Sequence, residues 1–190
     1  MTLPDSDRER AAALKASFAR AFASETDFRA FYDQALPRIY GYLHDRCGGD
    51  PMVAEELTQQ TFVAALRERS RFDGRSEPMT WLTAIARHKL VDHFRRLERE
   101  ERRRVRLVAR EIQVDPDPHS WNRVDERSTV LRVLASMPVN QRTVLVLHYA
   151  DGLTIRDMAH ELGKSESAVE SLMTRARDAF RRSYGGIGDG

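Results

Sequence analysis

The residues of this sequence that suggest chemistry are charged and hydrogen-bonding groups set on helical repeats, and they suit recognition of a polyanion rather than catalysis. The most informative stretch, Leu153 to Arg182, reads as helix, turn, helix. Thr154 is placed to cap the first helix, with Asp157 answering three residues later. Ile155, Met158, Ala159 and Leu162 recur on one side, and Gly163 supplies the left-handed residue that ends the helix. Ser165 is placed to cap a second helix with Val169, Leu172, Met173, Ala176 and Phe180 facing inward. That register leaves Glu166, Ser167, Glu170 and Ser171 where a DNA-reading helix enters the major groove, with Lys164, Ser165, Arg175 and Arg177 beside them. The same hairpin also occurs in purely structural bundles.

A second feature is the distribution of charge. Arg95, Arg96, Arg99, Arg102 to Arg104, Arg106 and Arg110 outweigh Glu98, Glu100 and Glu101. From Glu111 the balance reverses, with Asp115, Asp117, Asp125 and Glu126 around Pro116 and Pro118. A basic run followed by an acidic, proline-broken one reads as the end of a nucleic-acid-facing domain and a linker. A solvated helix face has the same composition. Enzyme chemistry finds little support. His44, His88, His93, His119, His148 and His160 make no His-x-x-x-His pair, the single Cys47 pairs with nothing, and there is no Gly-rich phosphate loop or strand-to-helix Ser elbow. No cofactor or metal is expected.

The elements that must position these groups are helices. No window shows sustained period-two alternation, whereas apolar residues recur at three and four almost everywhere, so the chain is expected to be all-α. With 190 residues, 32% charged and 41% hydrophobic, it suits one domain or two small ones. No apolar run is long enough to span a bilayer, and the first residues lack the apolar core of a signal peptide, so no membrane insertion and a cytoplasmic location are expected. Leu14, Phe18 and Phe22 mark a helix from about Arg8 to Ala23. Phe28 to Leu43 continue the pattern, with Pro37 expected to kink that helix or open a new one. Cys47 to Pro51 punctuate the chain. Val53, Leu57, Phe62, Val63 and Leu66 form the next inward stripe, then a loop over Phe72 to Pro78 precedes a helix that Thr80 is placed to cap. Trp81 fits a core position by its spacing with Ile85 better than a stacking platform. Beyond the prolines, helices are expected at about Val124 to Ser136 and Asn140 to Tyr149, ahead of the hairpin.

Three segments together resemble an extracytoplasmic-function (ECF) sigma factor of bacterial RNA polymerase. Asp50 to Leu66, DPMVAEELTQQTFVAAL, is similar to the helix of sigma domain two that docks on the β′ clamp helices. Phe72 to Arg96, FDGRSEPMTWLTAIARHKLVDHFRR, is similar to the loop and helix that open and read the minus-ten element. Leu134 to Arg182, beginning LASMPVNQRTVLVLHYADGLTIRDMAHELG, is similar to sigma domain four, whose helix-turn-helix binds the minus-thirty-five element.

The resemblance implies an N-terminal extension of one helix over 1–26, sigma domain two over 27–110, a flexible linker over 111–125, sigma domain four over 126–184 and a disordered tail over 185–190. It implies core polymerase (β′ clamp helices and β flap), promoter DNA and an anti-sigma factor as partners. Polymerase docking falls to Glu55, Glu56, Gln59, Gln60 and Phe62. The minus-ten surface falls to Arg75, Ser76, Arg87, His88, Lys89, Arg95 and Arg96, whose cations can neutralise the phosphates of a melting strand. Two departures touch these sites. His88 stands where the family usually has Asn, and Glu170 and Leu172 occupy positions that are often Lys and Arg. A single-site helix-turn-helix regulator is the first rival reading, and a helical protein adaptor is the second. The first would not need the polar helix over 50–66 or the loop ahead of Trp81, and the second would show no salt-dependent DNA affinity.

Overall fold

The computed structural model describes residues 5–108 and 126–185, and every described element is helical. The elements are α1 (Asp5–Arg20), α2 (Glu25–Arg46), α3 (Pro51–Glu68), a 3₁₀ turn (Arg69–Arg71), α4 (Pro78–Val108), α5 (Glu126–Ser136), α6 (Val139–Leu145) with a π turn (Val146–Ala150), α7 (Ile155–Leu162) and α8 (Glu166–Gly185). The linker expected over 111–125 lies outside the described residues, as does all of the expected tail except Gly185, which ends α8. The chain divides into two compact units, Met1–Leu90 and Val91–Gly190, so α4 passes from the first into the second.

In the first unit, short polar side chains start the helices. Ser24 Oγ accepts the Asp27 N–H at 3.1 Å to open α2, and Asp50 Oδ1 accepts those of Met52 and Val53 to open α3, with Pro51 in the first turn. Between them the chain turns through Gly48 and Gly49, both at positive φ. α2 runs through Pro37 as one helix rather than restarting there. Pro37 and Asp33 are both exposed, so water can take the carbonyl that the missing N–H leaves free. α2 packs on α3. Ile39, Leu43, Ala54, Leu57, Leu82 and Leu90 are buried at 2% exposure or less. Thr58 and Thr61 are buried with them, and their hydroxyls donate to the carbonyls of Ala54 and Leu57 one turn back. α4 starts at Pro78, two residues before the expected Thr80 cap, because a proline needs no partner for an N–H in a first turn.

The second unit is organised around α8, against which α5, α6 and α7 all pack. Its core joins Val133, Val144, Leu147, Met158, Val169, Leu172 and Met173 with Val91 from α4. The helix-turn-helix is built as its sequence implies. Thr154 and Asp157 form a reciprocal capping box, and Gly163 ends α7 in the left-handed region at φ 61°. Ser165 Oγ accepts the Ala168 N–H at 3.2 Å. The expected Asn140–Tyr149 helix instead widens into a π turn after Leu145, and Leu153 N–H then bonds back to the Leu147 carbonyl at 3.0 Å. Gly163→Ala is expected to destabilise this unit by about 1 kcal/mol, since a Cβ is strained in that conformation. It would also meet the end of the Arg95 side chain at 3.0 Å. Thermal unfolding followed by circular dichroism checks it.

Candidate nucleic-acid interface

The loop after the 3₁₀ turn and the outer face of α4 carry the first group of candidates. Phe72 anchors the loop in the core at 2% exposure, and Gly74 is buried at φ 76°. Asp73 then folds the loop back on itself: its Oδ1 accepts the Arg75 N–H at 3.0 Å and its Oδ2 lies 3.2 Å from the guanidinium of that residue. Arg75 is exposed and Ser76 half-buried. Along α4, His88 and Arg95 share one line seven residues apart, as do Lys89 and Arg96, while Ile85, Ala86, Leu90 and Phe94 face inward. His88 and Arg96 are exposed; Lys89 and Arg95 are half-buried. Arg96 Nη2 lies 3.2 Å from His93 Nδ1. Arg87 sits to one side, its Nε buried without a hydrogen-bond partner. Trp81 is half-buried against Phe18 and Phe72, the core placement that its spacing favours.

On α8 a single exposed ribbon runs through Glu166, Ser167, Glu170, Ser171 and Arg175. Thr174, which the sequence reading did not single out, lies on the same ribbon and donates to the Glu170 carbonyl at 3.1 Å. Arg175 Nε donates to the Ser171 carbonyl at 3.3 Å. Leu172 is 5% exposed and belongs to the core, so at this position the departure from a basic residue changes packing and not the outer surface. Two cations stand differently from expectation. Arg177 is half-buried with its guanidinium 5.8 Å from the centre of the exposed Tyr149 ring. Lys164 is half-buried and its Nζ donates to both carboxylate oxygens of Glu98, at 3.0 and 3.2 Å. Both partners lie in the second unit, with side chains 21% and 14% exposed.

α3 presents Glu55, Glu56 and Gln59 outward, with Gln60 half-buried and donating to Glu56 at 2.8 Å. Phe62 is not on that face: it is 4% exposed and packs on Tyr32 with ring centroids 4.6 Å apart, which corrects its expected place in a docking surface. Val63, expected inward, is 46% exposed, and Met52 is 74% exposed. Met52, Glu56, Gln59 and Val63 follow a four-three-four spacing, so the polar stripe has an apolar group at each end. Among the described residues no three His, Cys, Asp or Glu side chains gather to hold a metal ion, and no helix is long and apolar enough to cross a membrane.

Comparison with known proteins matches two family models in the order of these surfaces: Sigma-70 region 2 over residues 31–100 and Sigma-70, region 4 over residues 127–180. The chain is 34% identical over 181 residues to the ECF RNA polymerase sigma factor SigC of Mycobacterium tuberculosis, covering 95% of this chain and 94% of that one. It is 32% identical to the ECF RNA polymerase sigma factor BldN of Streptomyces coelicolor, covering 83% of this chain and 60% of that protein. Among solved structures it is similar, at a TM-score of 0.49 and 23% identity, to the sigma factor RpoE of Bartonella quintana in complex with the anti-sigma factor NepR, covering 83% of this chain and 96% of that one. The two region models in this order, and a relative matched along almost its whole length, place the chain among the ECF sigma factors, subunits that direct RNA polymerase to promoters and carry out no reaction of their own.

Proposed function

We propose a division of labour among these surfaces. The outward face of α3, Glu55, Glu56 and Gln59 between Met52 and Val63, docks on the β′ clamp helices of core polymerase. The loop carrying Arg75 and Ser76, with His88, Lys89, Arg95 and Arg96 on α4, receives the melted minus-ten strand. Its cations neutralise phosphate while the loop meets an extruded base. The exposed α8 ribbon reads the minus-thirty-five element in the major groove, its outer residues exposed while Val169, Leu172 and Met173 hold the other side in the core. That ribbon is the observation that carries the proposal, because its groove-facing positions are uncovered and rigidly backed. The β flap and an anti-sigma factor are further partners that family membership implies, and a cytoplasmic location follows from work on the polymerase.

The test is transcription from promoters with both elements randomised, using core polymerase with the full chain. Enriched upstream and downstream elements at fixed spacing are expected. Isolated chain is expected to bind promoter DNA weakly, since its net charge is only +2 and several of its cations are already engaged by Asp73, Glu98 or their own backbone. Tight sequence-specific binding without polymerase would favour the single-site regulator. Reversing charge at Glu55→Lys with Glu56→Lys is expected to weaken core-polymerase capture about fivefold at unchanged helix content, the scale of a lost charge complementarity at an exposed interface. A pull-down alongside circular dichroism decides it.

A further inference from the structure

Residues N-terminal to the region 2 match form α1, and α1 lies on the back of the loop that carries Arg75 and Ser76. Phe18 makes the apolar part of this contact: it is 3% exposed and its ring centroid is 4.3 Å from that of Phe72 and 5.1 Å from that of Trp81, the residues that bracket the loop. About two turns earlier on α1 the backbones meet. A Cβ on Gly74 would collide with the Ala11 carbonyl group, so only a glycine lets the loop settle on α1, and its φ of 76° adds a second reason for glycine there. Past that contact Arg10 Nη2 lies 3.0 Å from Glu77 Oε1. Both of those side chains are largely exposed, so the pair marks register more than it adds stability. α1 therefore touches the loop at its start, middle and end, at Phe72, Gly74 and Glu77, while Arg75 stays exposed.

We infer that α1 is a positioning element for minus-ten recognition: by fixing Gly74 against Ala11 it sets the loop conformation that presents Arg75 and Ser76, and so helps set which base is accepted. A loop of Asp, Gly, Arg and Ser has little apolar surface of its own to hold one shape, and selective reading of an extruded base needs the reading groups held in place. The inference rests on the proposed placement of the minus-ten surface.

The experiment uses the full chain with core polymerase and a library randomised in both elements. Gly74→Ala attacks the contact from the loop side. Ala12→Pro attacks it from α1, at an exposed position that leaves the Phe18 packing in place and keeps the test available if Gly74→Ala does not fold. Hydrogen exchange of the α1 amides reports release of the helix. Expected is faster exchange and about a tenfold loss of discrimination at one downstream position, the usual scale of one base contact, with polymerase capture and the upstream preference unchanged. Unchanged downstream preference with α1 released would overturn the inference. A wild-type chain that selects no downstream element would instead overturn the placement of the minus-ten surface itself, so the two failures are distinct.

Discussion

Val169→Asp is expected to abolish upstream-element recognition by unfolding the second unit, while Glu170→Ala, one residue further along α8, leaves the unit intact. Val169 is wholly buried in the cluster where α5, α6 and α7 meet α8. Substitution removes its apolar burial and places a carboxyl group among Val, Leu and Met side chains that offer it no hydrogen bond. The two losses together cost at least about 4 kcal/mol, a large share of the stability of a small domain. Glu170 is exposed, and its carboxylate can accept a hydrogen bond from a base amino group, of which cytosine N4 is the usual partner. Glu170→Ala is therefore expected to relax preference at one upstream position by roughly 1–3 kcal/mol for the preferred base, at unchanged melting temperature. Circular dichroism and selection on randomised upstream elements separate the two variants. A Val169→Asp chain with a native-like melt and native upstream preference would contradict the burial that the fold assigns to it.

What was legible in the sequence is what helices make periodic or local. The capping box at Thr154 and Asp157 and the left-handed Gly163 each involve neighbours within four residues, and both take the form their types dictate. The α8 ribbon was legible for the same reason, since Val169, Leu172 and Met173 fix the buried side and so the exposed one. Adjacent apolar residues are where periodicity loses resolution. Phe62 and Val63 sit 100° apart on α3, and it is Phe62 that packs on Tyr32 from another helix while Val63 stays exposed. The π turn after Leu145 was not legible, because a wider turn leaves the composition of Val-Leu-His-Tyr-Ala helical in character. Contacts distant in sequence were out of reach altogether. Nothing local signals that Lys164 meets Glu98, 66 residues away, or that Gly74 lies under the backbone of α1.

The Lys164–Glu98 pair leads to a prediction with opposite signs on two readouts of one variant. In the free protein the ammonium group is largely shielded from water and both oxygens of one carboxylate accept from it. Lys164 sits at the turn entering α8, where a cation would meet phosphate, yet it cannot serve Glu98 and a phosphate at once. Glu98→Ala removes the competitor. Stability should fall by about 2 kcal/mol, because the shielded ammonium loses its charge-assisted bonds with nothing to replace them. Affinity of the polymerase complex for the upstream element should rise about tenfold, because the free energy of breaking the pair is no longer spent on binding. Salt dependence then identifies the route. If Lys164 already exchanges Glu98 for phosphate in the wild-type complex, the number of phosphate contacts is the same in both proteins and the slope of log affinity against log salt is unchanged. If Lys164 stays with Glu98 in the wild type, the variant gains a contact and its slope steepens by about 0.9. The expected result is exchange, with tighter binding at an unaltered slope, since the pair is partly open to water and within one side chain's swing of the ribbon. Lower stability with no gain in DNA affinity would remove Lys164 from the upstream interface and leave Glu98 a purely structural partner.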